Sequence, residues 1–143
     1  MTTRPSISTS QSMTGNFIAD AAIYQYSAVK DSSSGCNYVS PISTTEDTGI
    51  KIAGIAQDDA DAYGHLLVTL FGPSLVKAGG TITRNDPLVV YKPASSTVPS
   101  TVIKAETGTY AAQSMIIGTA LEDAVDGEFF LALINPHILL ATS

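Results

Sequence analysis

Beyond Phe17 the chain alternates short apolar, β-branched runs with clusters of turn formers, the pattern of strands that bury one face. The clusters fall at residues 31–35, 44–49, 72–73, 79–80 and 84–87, and at Gly108. Between them the spacing predicts strands over residues 23–30, 38–42, 51–56, 65–71, 75–77, 88–92, 102–105, 115–120 and 128–134. No segment sustains a helical period; residues 19–23 and 111–115 are the places where a helical turn competes. Residues 93–99, bounded by Pro93 and Pro99, read as a mobile internal loop. Residues 1–16 differ from the rest. Eight of them are Ser or Thr, too little apolar surface to offset the entropy of ordering, so they read as a flexible arm ahead of one β domain, residues 17–143.

An internal repeat organises that domain. "IAGIAQDDADAYGHLLVTLFGP" (residues 52–73) aligns with "IIGTALEDAVDGEFFLALINP" (residues 116–136), placing Gly54 over Gly118, Ala56 over Ala120 and Ala60 over Ala124. One deletion then brings Gly64 over Gly127, Leu66 over Phe129 and Leu70 over Leu133. Each copy reads as strand, acidic turn and second strand, a hairpin unable to bury its face alone. The expectation is two hairpins packed in one core. The inward residues would be Leu66, Val68 and Leu70 in one copy and Phe129, Leu131 and Leu133 in the other. Gly64 and Gly127 are expected at positive φ in the turns. Gly54 and Gly118, inside strands, mark a bulge or a close backbone approach.

Length and composition narrow the class. A chain of 143 residues fits one domain, or a domain with a tail. Charged residues are 14% of the chain, against about 25% in typical soluble domains. The net charge of −6, with no basic cluster, argues against binding DNA or RNA. The single cysteine, Cys36, forms no intrachain disulfide, says nothing of redox compartment, and is expected buried or half-buried. No signal peptide is legible after Arg4, which predicts synthesis in a cytoplasm. The most apolar stretch, residues 129–140, is broken by Asn135, Pro136 and His137 and reads as a core strand, not a membrane span.

Candidate chemistry is thin. Asp58, Asp59 and Asp61 in one repeat and Glu122, Asp123, Asp126 and Glu128 in the other lack the spacing of an EF-hand, and alanines interrupt them, so they read as solvated turn acids and no metal is expected. His65 and His137 are the available bases near neutral pH, and neither accompanies a nucleophile motif. Gly79-Gly80 leads into a strand, not a helix, so it is no phosphate loop. Neither enzyme activity nor a cofactor is expected. Tyrosines without any tryptophan offer little for stacking sugars, and Tyr24, Tyr26 and Tyr91 are expected half-buried in strands.

The ordered segments "AAIYQYSAVKDSSSG", "IAGIAQDDADAYGHLLVTLFGPSLVKAGGTITRNDPLVV" and "IIGTALEDAVDGEFFLAL" resemble the capsid decoration (cement, or head-stabilising) proteins of tailed bacteriophages, over residues 21–135. Family members often carry Gly where Asn85 stands, and the Ser/Thr arm is not a fixed family feature. The resemblance implies an all-β fold, a small sandwich or distorted, tulip-like barrel. It also implies a non-catalytic role on the outside of an assembled phage head, with the major capsid protein as partner, commonly as a homotrimer, and without nucleic acid or membrane. Within the arm, Arg4, Ile7 and Met13, with Phe17 and Ile18 at its junction, are the expected capsid contacts, gained as the arm orders on the shell. The competing reading is a lipoyl- or biotinyl-type carrier or another small β-barrel binding module, suggested by the rhythm of "LVKAGGTITRNDPLVV". Against it, Lys77, Lys92 and Lys104 lack a carrier's flanking residues.

Overall fold

The computed structural model describes residues 12–42, 52–92, 99–105 and 115–138. Their regular structure is entirely β: β1 (Met13–Ala19), β2 (Ala28–Asp31), β3 (Tyr38–Pro41), β4 (Ile52–Ala56), β5 (His65–Lys77), β6 (Pro87–Tyr91), β7 (Thr101–Lys104), β8 (Met115–Ala120) and β9 (Phe129–Ile138). Strands β1, β3, β2, β4 and the first half of β5 close into a five-stranded barrel, since β5 pairs with β4 on one edge and β1 on the other. The second half of β5 continues as the wall of a second ring, β5-β9-β8-β6-β7, which the parallel bridge Ala78–Val102 closes. The all-β, distorted-barrel fold read from the sequence is the one found.

Several local expectations change. β5 is one 13-residue strand that runs through Gly72 and Pro73, which punctuate no turn. Gly72 takes φ 113°, open to glycine and strained for other residues, and lets the strand pass from one ring to the next. Residues 23–27 are a bridge and a turn, not strand, and residues 19–23 form no helical turn. The expected arm reaches too far. Met13 to Asn16 belong to β1, where antiparallel pairing with β5 from Met13–Phe71 to Ile18–His65 supplies the order that their side chains do not. Cys36 is exposed, not buried. Residues 93–98 and 111–114 lie outside the described residues.

The two rings are copies of each other, a larger repeat than the pair of hairpins. In the first, Tyr26 N–H donates to Ala56 O at 2.7 Å and Tyr63 N–H to Ala19 O at 2.6 Å. In the second, Asn85 N–H donates to Ala120 O at 2.8 Å and Gly127 N–H to Ala78 O at 2.9 Å. Antiparallel bridges join the paired turns of each ring, Ile23–Ala60 and Ile82–Ala124. One motif therefore occurs four times: Ala, three residues, Ile or Ala, two residues, then a residue at positive φ. The four are Ala19-Ile23-Tyr26, Ala56-Ala60-Tyr63, Ala78-Ile82-Asn85 and Ala120-Ala124-Gly127.

This register corrects the hairpin alignment. Tyr63, not Gly64, stands over Gly127, both at positive φ (67° and 89°), and no deletion separates the copies. Gly64 serves space instead, because a Cβ there would come within 3.0 Å of Asp61 O. Because strand side chains alternate, a slip of one residue inverts a whole face. The inward residues of β9 are thus Phe130, Ala132 and Ile134, while Phe129, Leu131 and Leu133 point outward.

The hairpins also do not share a single core. Ala19, Ile23, Val29, Val39, Ala56, Ala60, Leu66 and Val68 fill the first ring. Their counterparts Ala78, Ile82, Leu88, Val102, Ala120, Ala124, Phe130 and Ala132 lie in the larger cluster, which Ile52 and Ile55 of the first hairpin join. Burying one such Leu or Ile contributes about 1.5–3 kcal/mol, so each ring carries a hydrophobic interior of its own.

Candidate functional site

A β-bulge between Met13 and Thr14 begins the site. Along β1, Thr14, Asn16 and Ile18 lie opposite Thr69, Leu67 and His65 and face away from the first core, Thr69 being buried and Leu67 and His65 exposed, while Phe17 and Ala19 turn to that core. The register shift re-aims Met13, so it pairs with Phe71 on the outside instead of following the inward alternation. Residues directly opposite in an antiparallel pair share a face, so the outer surface continues across β5 and β9 through Pro73–Leu133 and Leu75–Leu131. Met13 is 63% exposed, Phe71 47% and Leu75 37%, with Leu131 and Leu133 half-buried beside them. Exposed and contiguous, this apolar stripe is the kind of surface that marks an interaction site.

The residues expected to contact a partner fall unevenly on this surface. Met13 stands at its edge. Phe17 and Ile18 are built into the barrel wall, with the Phe17 ring lying so close over Gly15 that a Cβ there would meet it at 2.6 Å. Arg4 and Ile7 lie outside the described residues. Phe71, Leu75, Leu131 and Leu133 were missed as surface residues, the β9 pair because the one-residue slip placed them in the core. The signal that finds them is the fourfold motif, which fixes the register without a deletion.

Gly54 and Gly118 combine both roles expected of them. A Cβ on either would overlap a backbone carbonyl of the facing strand, Thr69 O or Leu133 O, and each sits beside a register shift.

The acidic turns are exposed, yet five of the seven acids hold backbone rather than solvent alone. Asp58 Oδ2 accepts from Leu67 N–H at 3.1 Å and Glu122 Oε1 from Leu131 N–H at 2.8 Å. Asp59 Oδ1 accepts from Gln25 N–H and Asp123 Oδ1 from Arg84 N–H, both at 2.7 Å. Glu128 Oε1 accepts from Val125 N–H at 3.0 Å. The first four act at matching positions of the two rings, fastening each turn to its neighbour. Among the described residues no three His, Cys, Asp or Glu side chains converge on a common point. His65 begins β5, and His137, near the end of β9, contacts Asn135 O through Nδ1 at 2.6 Å; both are exposed. Of the carrier candidates, Lys77 ends β5 with Nζ 5.8 Å from the Phe129 ring centroid, Lys92 is buried, and Lys104 ends β7.

No family model and no curated protein matches the chain. Among solved structures it is similar to the N base of the head fiber protein gp8.5 of bacteriophage phi29, at 17% identity and a TM-score of 0.55, over 86% of this chain and 93% of that one. At that identity the likeness is one of fold.

Proposed function

We propose that this chain is a structural protein of a phage head, a decoration or cement protein that seats on the outer surface of the assembled shell and fastens neighbouring major capsid proteins. The observation that carries this reading is the outward apolar stripe of Met13, Phe71, Leu75, Leu131 and Leu133, on a fold shared with the base of a phage head fiber. Burial against a partner would remove these side chains from water at about 25 cal/mol per Å² of apolar area, less the cost of association. The stripe lies on the β1–β5–β9 wall, where paired backbone makes a firm platform. Attachment in this reading runs through the domain wall, with the arm as an accessory. A homotrimer, a location on the virion and the lack of catalysis belong to the same proposal. Supporting the last, five of the seven turn acids are engaged by backbone N–H groups.

The test is rebinding. Purified protein is mixed with heads stripped of it, and occupancy is compared for wild type, Phe71→Asp and Leu75→Asp. Loss of fixed-ratio occupancy in variants that melt like wild type supports the reading. Full occupancy by both variants would remove the stripe from it.

A further inference from the structure

The two rings act as controls for each other, and they differ at one end. The motif needs a residue at positive φ, and the second ring meets that need with Asn85 and Gly127, residues that adopt it at little cost. The first ring uses Tyr26 (φ 63°) and Tyr63 (φ 67°), and sets Tyr24 where the second has Thr83. Tyr63 is 74% exposed and Tyr24 54%, so a contribution to the core does not account for them. Of the three, Tyr26 is half-buried at its positive φ and Tyr24 is exposed beside it, and backbone held in a sparsely populated region clusters at binding sites.

Two of the three, Tyr24 and Tyr26, border a cleft of about 330 Å³ where the first ring meets the second. Tyr24, Tyr26 and Phe129 give it aromatic walls, with Tyr26 and Phe129 in a T-shaped contact at 5.7 Å between centroids. A second hollow of about 270 Å³ adjoins it, and Tyr24 and Asp59 border both. The polar groups at the rim are fixed. Asp59 Oδ1 is held by Gln25 N–H at 2.7 Å, and Gln25 Nε2 donates to Gln57 O at 3.0 Å, which leaves Asp59 Oδ2 and Gln25 Oε1 as oriented acceptors. Lys77, over Phe129, supplies a donor on the other side.

We infer that this cleft binds a saccharide chain, with sugar rings lying against Tyr24 and Phe129 and reaching into the adjoining hollow. A sugar presents an apolar C–H face to an aromatic ring and, at its edge, hydroxyls that donate and accept at once. Tyrosines without tryptophan promised little for stacking sugars, but the fold gathers two of them with Phe129, so the cleft offers both: aromatic walls, and a rim carrying fixed acceptors beside the Lys77 amine. The inference goes beyond the proposed attachment to the shell and does not depend on it, since the docking stripe ends at Lys77–Phe129, where the cleft begins.

The experiment applies the full chain to a printed array of bacterial and plant oligosaccharides, then titrates the retained sugar in solution. Because the chain has six tyrosines and no tryptophan, intrinsic emission reports on the tyrosines directly. Wild type is expected to retain a defined set of glycans. Tyr24→Ala is expected to bind them at least about tenfold more weakly, while Thr83→Ala, at the matching position of the second ring, binds them as wild type does and both variants melt unchanged. Retention of no glycan, or equal retention by Tyr24→Ala, overturns the inference. Wild type that retains no glycan together with Tyr24→Ala that fails to occupy stripped heads also overturns it, because the cleft would then belong to the shell contact.

Discussion

Tyr26 and Asn85 hold the same place in two copies of one ring, each at positive φ (63° and 74°) and each donating its N–H to an alanine carbonyl, Ala56 or Ala120. The backbone requirement is identical and the side chains are not. Conformation and side-chain role can therefore be separated by exchanging residues between the copies. At the other tyrosine of the pair, Tyr63→Asn is expected to raise stability by about 0.5–1 kcal/mol, because asparagine tolerates the left-handed region and the largely exposed ring gives up little packing. Thermal unfolding measures it: a midpoint up by about 2–4 °C per kcal/mol fits. A fall would show that the Tyr63 ring supports the fold.

Gly54 and Gly118 pose the opposite case, since their constraint is space. Gly54→Ala and Gly118→Ala would press a methyl group into Thr69 O and Leu133 O, backbone atoms that cannot rotate away. Each is expected to cost about 2–4 kcal/mol in denaturant unfolding. Gly80→Ala, where a Cβ meets nothing within 4 Å, serves as the neutral comparison. Equal curves for the three variants would show that the strands do not approach as closely as described.

The turn carboxylates should prove structural. Asp123→Ala removes the acceptor of Arg84 N–H and is expected to cost about 1 kcal/mol, while Asp123→Asn, which keeps an acceptor oxygen, should cost less. Glu122→Ala, which frees Leu131 N–H, should behave alike. Melts that are unaltered by both alanine variants would return these acids to the solvated role that their exposure suggests.

The sequence was informative about strands and misleading about faces. β8 matched its expected bounds, and β4 and β6 fell within a residue of theirs, because β-branched residues alternate there between clear turn formers. β1 was hidden, since Thr14, Gly15 and Asn16 carry no strand pattern; its order comes from the open edge of β5. The repeat itself was legible, but matching Gly64 to Gly127 by identity forced a false deletion. Position in the turn, held by hydrogen bonds to Ala19 O and Ala78 O, proved the better guide than residue type. That single step turned Leu131 and Leu133 from surface to core and concealed the apolar stripe. The cleft was hidden for another reason. Tyr24 and Tyr26 sit in a turn, not a strand, and Phe129 meets them only across the two rings.

Seating of the protein on a phage head through the β1–β5–β9 stripe is decided by a binding titration. Stripped heads are titrated with wild type and with Leu75→Asp, an outward substitution beside Leu131 that leaves both cores intact, and bound copies per head are counted. Wild type is expected to saturate at a fixed ratio and the variant to occupy heads at least about tenfold more weakly, with the two melting alike. Saturation at the same ratio and affinity by Leu75→Asp, or no saturable binding by wild type, would contradict it.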